Sequence, residues 1–321
     1  MSERTWDVFT LGETMVRYTP KGYTRLEEAA ELEVRVGGTE SNLAVALARL
    51  GLRVAWASKL PRNALGVMTE RRIRSFGVNT DAVCWVDGGR MGTYYIEPGA
   101  APRSSTVLYD RAGSAASTMA PEDFDWTILD RTRHLHLTGI TPALSPSACE
   151  TTARALSEAK ARGVTISLDV NYRARLWSAA TCREILLPLI RPVDLLICPL
   201  ADAENVFGLT GVAEEMLQRL GEWTNAGHLA LTMGGEGALL WDRNDFHRAG
   251  SLPLQAIDRV GAGDAFDAGL LWGFLQGNAP MGLQYGMVMA ALKHTIPGDE
   301  FVSSLAEVEA VLAVGHRDIQ R

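Results

Sequence analysis

The sequence predicts a three-layer α/β fold with a central, mostly parallel sheet and a small second sheet standing off it. Two observations carry this expectation. From residue 134 onward, apolar runs of strand length alternate with segments of helical period. That alternation means parallel strands with helices on both faces. From Val83 to Tyr109 the period changes to short β-rich runs separated by Pro and Gly, with no helix between them. Such runs do not make βαβ units. The chain has 321 residues, 47% of them apolar, which suits one domain (1–321) with a sizeable core.

The elements follow in order. Val8–Leu11 is a first buried strand ending at Gly12-Glu13. Leu43, Leu47 and Leu50 stand at helical spacing behind a Gly-rich turn, Val36 to Asn42, and Gly51 closes that helix. Val54–Ser58 reads as a strand and Leu65–Phe76 as a helix closed by Gly77. Segments 14–36 and 83–112 supply the small sheet. Strands then follow at 134–139, 164–171, 194–198 and 229–233, with helices at 146–162, 179–190, about 199–208 and 212–226. A hairpin-like stretch (237–242) precedes helices beginning near 264, at 281–294 and at 303–313. The strands end in polar or Gly-rich sequence, among them Asp169-Val170-Asn171-Tyr172-Arg173 and Gly234-Gly235-Glu236-Gly237. Open α/β sheets bind ligands at those carboxyl ends.

Charge and composition narrow the function. The net charge is −7 and there is no long basic run, which argues against nucleic acid or anionic membrane as a partner. The polar start is no signal peptide, and no apolar run reaches membrane-spanning length. Four cysteines without metal-type pairing suit reduced thiols in a cytoplasmic protein. His134 and His136 share one strand face without a third ligand, which reads as structural.

The chain is organised around Asp258-Arg259-Val260-Gly261-Ala262-Gly263-Asp264-Ala265-Phe266. Its small residues let the backbone turn tightly, and Phe266, Leu270 and Phe274 begin a helical stripe. Free amides at that helix start favour an anion such as phosphate. Asp264 is open to two readings, an N-cap or a base beside a phosphate site; the Gly-Ala-Gly before it favours the base. There is no G-x-x-x-x-G-K-[ST], and Phe266 breaks a dinucleotide fingerprint, so P-loop and Rossmann readings fall away.

This stretch resembles the signature of the ribokinase-like (PfkB) family of sugar kinases, D-T-x-G-A-G-D-x-F, with Arg259 in the place of Thr. The resemblance implies a ribokinase-like fold with a β-sheet lid, Asp264 as catalytic base, and Gly261, Ala262 and Gly263 as the anion hole. It implies ATP bound by Thr232, Gly234, Gly237, Gly261 and Gly263. Mg²⁺ is expected to neutralise phosphate charge. The family's Asn-x-x-Glu motif falls on Pro199 and Asp202 here, which leaves Asp202 as either a residue near Mg²⁺ or an ordinary helix-start acid. Gly38 and Asn42 match the N-terminal signature and are implied to contact the sugar; a plain structural hydrogen bond is the rival reading for Asn42.

Two arginine-bearing segments point to an acidic substrate, because a guanidinium fork binds both oxygens of a carboxylate. Asp169–Trp177 and Tyr109-Asp110-Arg111 resemble the 2-keto-3-deoxygluconate kinase branch, as does Lys293–Asp299. That implies sugar-acid contacts from Gly38, Tyr94, Tyr109, Arg111 and Arg173. Arg17 stands about where neutral-sugar branches carry an Asp, which again suits an acid. The expected activity is ATP-dependent phosphorylation of 2-keto-3-deoxygluconate at the 6-hydroxyl. The rivals are a fructokinase or another PfkB sugar kinase, and a sensor that kept the fold. The family also implies a homodimer through the lid, or a higher homo-oligomer, with Tyr95, Val107 and their neighbours on the covered face.

Overall fold

The structure is a computed structural model, and it describes residues 4–314. In chain order its elements are β1 (Trp6–Leu11), β2 (Met15–Pro20), β3 (Leu32–Gly37), α1 (Thr39–Arg49), β4 (Val54–Ala57), β5 (Lys59–Pro61) and α2 (Ala64–Arg74). Then come β6 (Cys84–Val86), β7 (Thr93–Glu97), β8 (Thr106–Asp110), β9 (Thr132–Thr138), α3 (Pro146–Ala161), β10 (Thr165–Asp169) and α4 (Ala179–Ile190). The remainder is β11 (Leu195–Pro199), α5 (Leu200–Asn205), α6 (Ala213–Glu222), β12 (His228–Thr232), β13 (Ala238–Trp241), β14 (Phe246–Ala249), α7 (Ala262–Leu275), α8 (Ala279–His294) and α9 (Leu305–Val314).

The large sheet runs β14-β13-β12-β11-β10-β9-β1-β4. Pairing is parallel from β4 to β12 and antiparallel at β12–β13 and β13–β14. After β1 the chain goes to one side for β4 and to the other for β9, so the strand order reverses at β1, the place where such sheets open a crevice. Strands buried on both faces feed two cores. One packs Leu137, Leu168, Leu196 and Leu229 against α3, α4 and α6; the other packs Val8, Ile197 and Ala230 against α1, α7 and α8.

Helices α7 and α8 approach backbone to backbone. A Cβ on Gly269 would lie 2.5 Å from the Gly286 amide nitrogen, and one on Gly273 would lie 2.2 Å from the Gly282 Cα. The four glycines therefore set α7, and with it the turn at its start.

The small sheet runs β3-β2-β7-β8. Segment 83–92 does not belong to it, contrary to the sequence expectation. Cys84–Val86 instead pairs in parallel with Lys59–Pro61, and Gly88 and Gly89, at φ 78° and 76°, end that strand before β7 begins. Strand propensity announces a strand without naming its partner. The expected 212–226 helix is also shorter, closing at Glu222.

Candidate active site

The helix α7 starts at a left-handed glycine. Gly261 has φ 85°, and a Cβ there would lie 1.9 Å from the Asp299 carbonyl oxygen, so only glycine fits. Gly261 is the N-cap and no side chain caps the helix. The amides of the first turn are thus available to an anion. Asp264 is the third helical residue, which removes the capping reading. Its carboxyl is buried, and Asn42 Nδ2 donates to its Oδ2 at 2.6 Å. Burial pushes the Asp264 pKa up to about 7; Asn42 and Arg173 oppose the shift, while Asp299 and Glu40 add to it. A buried carboxyl poised there has the chemistry to accept a proton from a hydroxyl near neutral pH.

In front of Asp264 lies a cavity of about 380 Å³, lined by Gly38, Asn42, Tyr94, Tyr109, Arg111 and Arg173 among others. It sits between the carboxyl ends of β1, β9 and β10 and the inner face of the small sheet. Gly38 has no room for a side chain, since its Cβ would lie 2.2 Å from the Glu13 carbonyl oxygen. Tyr94 is held by a 2.5 Å bond from its hydroxyl to Asp299 Oδ2, and Tyr109 stacks on it with centroids 5.8 Å apart.

The arginines differ from one another. Arg111 forks onto Glu13, with Nε to Oε2 at 2.8 Å, and Ser114 donates to the other Glu13 oxygen at 2.5 Å. Its charge is already matched by a buried carboxylate. Arg17 does not face the cavity. It bonds Asp299 Oδ1 at 2.5 Å and Asp258 Oδ2 at 2.6 Å, so the expected cation toward an acidic substrate is neutralised inside the protein. Arg173 is exposed at the cavity wall, and its only hydrogen bond among the described residues is a 3.5 Å contact to the Tyr172 carbonyl. Its fork is open to a ligand.

Several acids that matter were not read as site residues. Glu13, Glu40, Asp169 and Asp299 all line the cavity. Glu40 accepts from Thr138 and Thr141 hydroxyls at 2.6 and 2.9 Å, and burial raises its pKa. Asp299 ties Arg17 of β2 and Tyr94 of β7 to the turn that caps α7. The buried Lys293 donates to the Ile296 carbonyl at 3.0 Å beside the same acids. Asp169 and Asp267 each keep one buried oxygen without a partner, and burial lifts both pKa values, Asp169 to about 7. Asp202 adds to the Asp169 shift, and Asp169 to that of Asp267. A charge ending an apolar strand, as at Glu13 and Asp169, was the signal that could have found them.

A second cavity, about 360 Å³, lies on the other side of the α7 start. Thr232, Gly234, Gly237, Ala262 and Gly263 line it, with Leu252, Leu254, Phe266 and Met287 as apolar walls. Flat apolar walls beside free helix amides fit a nucleotide base and its phosphates. Gly261 belongs to the first cavity and Gly263 to both. Asp202 lines neither; its Oδ2 accepts from the Tyr172 amide at 2.8 Å, which fixes the turn bearing Arg173. Among the described residues no three His, Cys, Asp or Glu side chains form a metal cage. Magnesium held chiefly by phosphate oxygens and waters fits such a site, and a dedicated protein cage does not.

Residues 6–299 match the family described as pfkB family carbohydrate kinase. The chain is 38% identical over 318 residues to the 2-dehydro-3-deoxygalactonokinase of Haloferax volcanii, covering 99% of this chain and 100% of that one. It is 30% identical to the 2-dehydro-3-deoxygluconokinase of Bacillus subtilis, covering 91% of each. The crystal structure of 2-dehydro-3-deoxygluconokinase from Thermotoga maritima is similar with a TM-score of 0.91 and 35% identity, over 97% of this chain and 99% of that one.

Proposed function

The chain belongs to the pfkB family of carbohydrate kinases, and from that premise we propose that it moves the γ-phosphoryl group of ATP to the 6-hydroxyl of a 2-keto-3-deoxy sugar acid. The acceptor is 2-keto-3-deoxygluconate or its galacto epimer at C4. The second epimer is kept because the relative at 38% identity is named for it. The acceptor occupies the cavity before Asp264, and ATP the cavity lined by Thr232, Gly234 and Gly237. Asp264 takes the hydroxyl proton, Asn42 holds that carboxyl in place, and the amides of Gly261 to Asp264 receive the phosphoryl oxygens. Mg²⁺, when bound with the nucleotide, neutralises phosphate charge.

The observation that carries the acidic acceptor is Arg173, an open guanidinium on the wall of the cavity that faces the small sheet, where its neighbour Arg111 is already paired. Gly38, Tyr94 and Tyr109 shape the rest of the acceptor site, and Arg111 acts on it through Glu13. The small sheet serves as the lid, and a homodimer of cytoplasmic protein forms across its outer face. ADP release measured with both epimers, fructose and ribose tests the reading. Preference for either acid supports it. Preference for fructose overturns the acid while leaving the kinase.

A further inference from the structure

Among the described residues only two line both cavities, Gly263 and Arg259. Any group that passes from the nucleotide to the acceptor crosses between the cavities where these two stand. Gly263 offers an amide there. Arg259 offers a guanidinium, and it has no hydrogen bond or ion pair among the described residues. Its backbone is nonetheless held. The Ile257 and Asp258 amides donate to the His294 carbonyl at 2.7 and 3.1 Å, and the Val260 amide donates to Asp258 Oδ1 at 3.1 Å. The nearby cations are committed elsewhere. Arg17 serves Asp258 and Asp299, Lys293 serves Ile296, and Arg111 serves Glu13. Arg173 stands on the acceptor wall and not in the nucleotide cavity.

We propose that Arg259 is a catalytic residue that closes on the phosphoryl group in flight, supplying from this chain's own turn the positive charge that group needs. The inference rests on the phosphoryl-transfer reading above. In the step, the acceptor 6-oxygen forms a bond to the γ-phosphorus and the bond from that phosphorus to the bridging oxygen of ADP breaks. The hydroxyl proton goes to Asp264, and ADP leaves with the bond's electron pair. Charge collects on the three equatorial oxygens, and a guanidinium fork meets two of them where a single amide meets one. The side chain is exposed and unpaired before substrate arrives, so it is free to swing with no internal ion pair to break.

The test uses the whole protein with Arg259→Ala and Arg259→Lys. For Arg259→Ala, kcat should fall roughly 10²–10³-fold, the range for removing one such group. Affinity for ADP alone and KM for the sugar acid should stay within about twofold, since these report the ground state. Calorimetry with ADP, aluminium fluoride and the sugar acid, which together mimic the transferring group, should show the parent's extra affinity lost in Arg259→Ala and partly kept in Arg259→Lys. Added guanidinium salt should restore part of the Arg259→Ala rate. An active parent whose Arg259→Ala variant matches it in kcat and in binding the mimic overturns the inference alone. A loss confined to the KM for ATP does the same, because it marks a ground-state contact. A parent that releases no ADP with any sugar acid or neutral sugar overturns the phosphoryl-transfer reading and the inference together.

Discussion

The two sides of the α7 start are built in different ways. The side proposed for the nucleotide consists of backbone and apolar walls drawn largely from neighbouring stretches, 232–237, 251–263 and the face of α8. The side proposed for the acceptor rests on charged side chains brought from across the chain. Arg17 meets Asp258 and Asp299 over 241 and 282 residues, Asn42 meets Asp264 over 222, and Arg111 meets Glu13 over 98. Phosphates and a flat ring are generic ligands, and amides with apolar walls suffice for them. A particular sugar needs fixed polar groups, and each buried one needs a partner of its own. On the proposed reading, specificity on the acceptor side rests on a network, and a change at one member reaches its partners.

The largest effect should come from the residue where the two sides meet chemically. Asp264→Asn is expected to lower kcat by roughly 10²–10⁴-fold while ADP binding persists. Near-parent turnover would strip Asp264 of its role as base.

The two acceptor arginines should separate next. Arg173→Ala should cut kcat/KM for the sugar acid by roughly 10²-fold, with far less loss for fructose, because only the acid presents a carboxylate to the fork. Arg111→Ala should act on stability as well. It leaves the buried Glu13 carboxylate without its cation, and stranding one member of a buried pair costs about 3–5 kcal/mol. Chemical denaturation of both variants checks the contrast. Equal destabilisation by the two would erase the distinction between an open and a committed arginine.

The pH profile sharpens the same picture. Asp264, lifted to about 7 mainly by burial, must be ionised to act, so kcat/KM should fall about tenfold per unit as pH drops below 7. Stability moves the other way. The raised pKa values mean that the folded protein still holds protons at Asp264 and at the Asp169–Asp267 pair where the unfolded chain has released them. The native state binds more protons between about pH 4 and 7, so its stability should decline as pH rises through that window. Denaturant midpoints at pH 5 and pH 8 read the sign directly.

The smallest effect on catalysis should come from the outer face of the small sheet. Val34, Tyr18, Tyr95 and Leu108 lie side by side across all four strands, and Val34 and Leu108 are half exposed. Tyr18 and Tyr95 stack at 5.2 Å. Such an apolar row on a sheet invites a second copy. Leu108→Lys should shift the protein to monomer in sedimentation with modest change in kcat. A parent already monomeric at micromolar concentration would dismiss the dimer.

What could be read before folding follows from locality. The alternation after residue 134 marks layers because strand and helix periods are written in consecutive residues. The Gly261-Ala262-Gly263-Asp264 turn announces itself because its function lies in its own backbone, and Asn63 and Ser145 cap their helices from within one turn. The tertiary structure decided the rest. Val107, expected on the covered outer face, points inward with Met15, Tyr94 and Ile96, because its register places it opposite Ile96. The strand at Cys84 turned to Lys59 and not to the small sheet. Arg17 and Arg111, both legible as cations near a ligand mouth, were claimed by Asp299, Asp258 and Glu13. A sequence states which charges exist. Which of them cancel depends on which are brought within about 3 Å in a buried place, where an unpaired charge cannot remain and a paired one no longer serves the substrate.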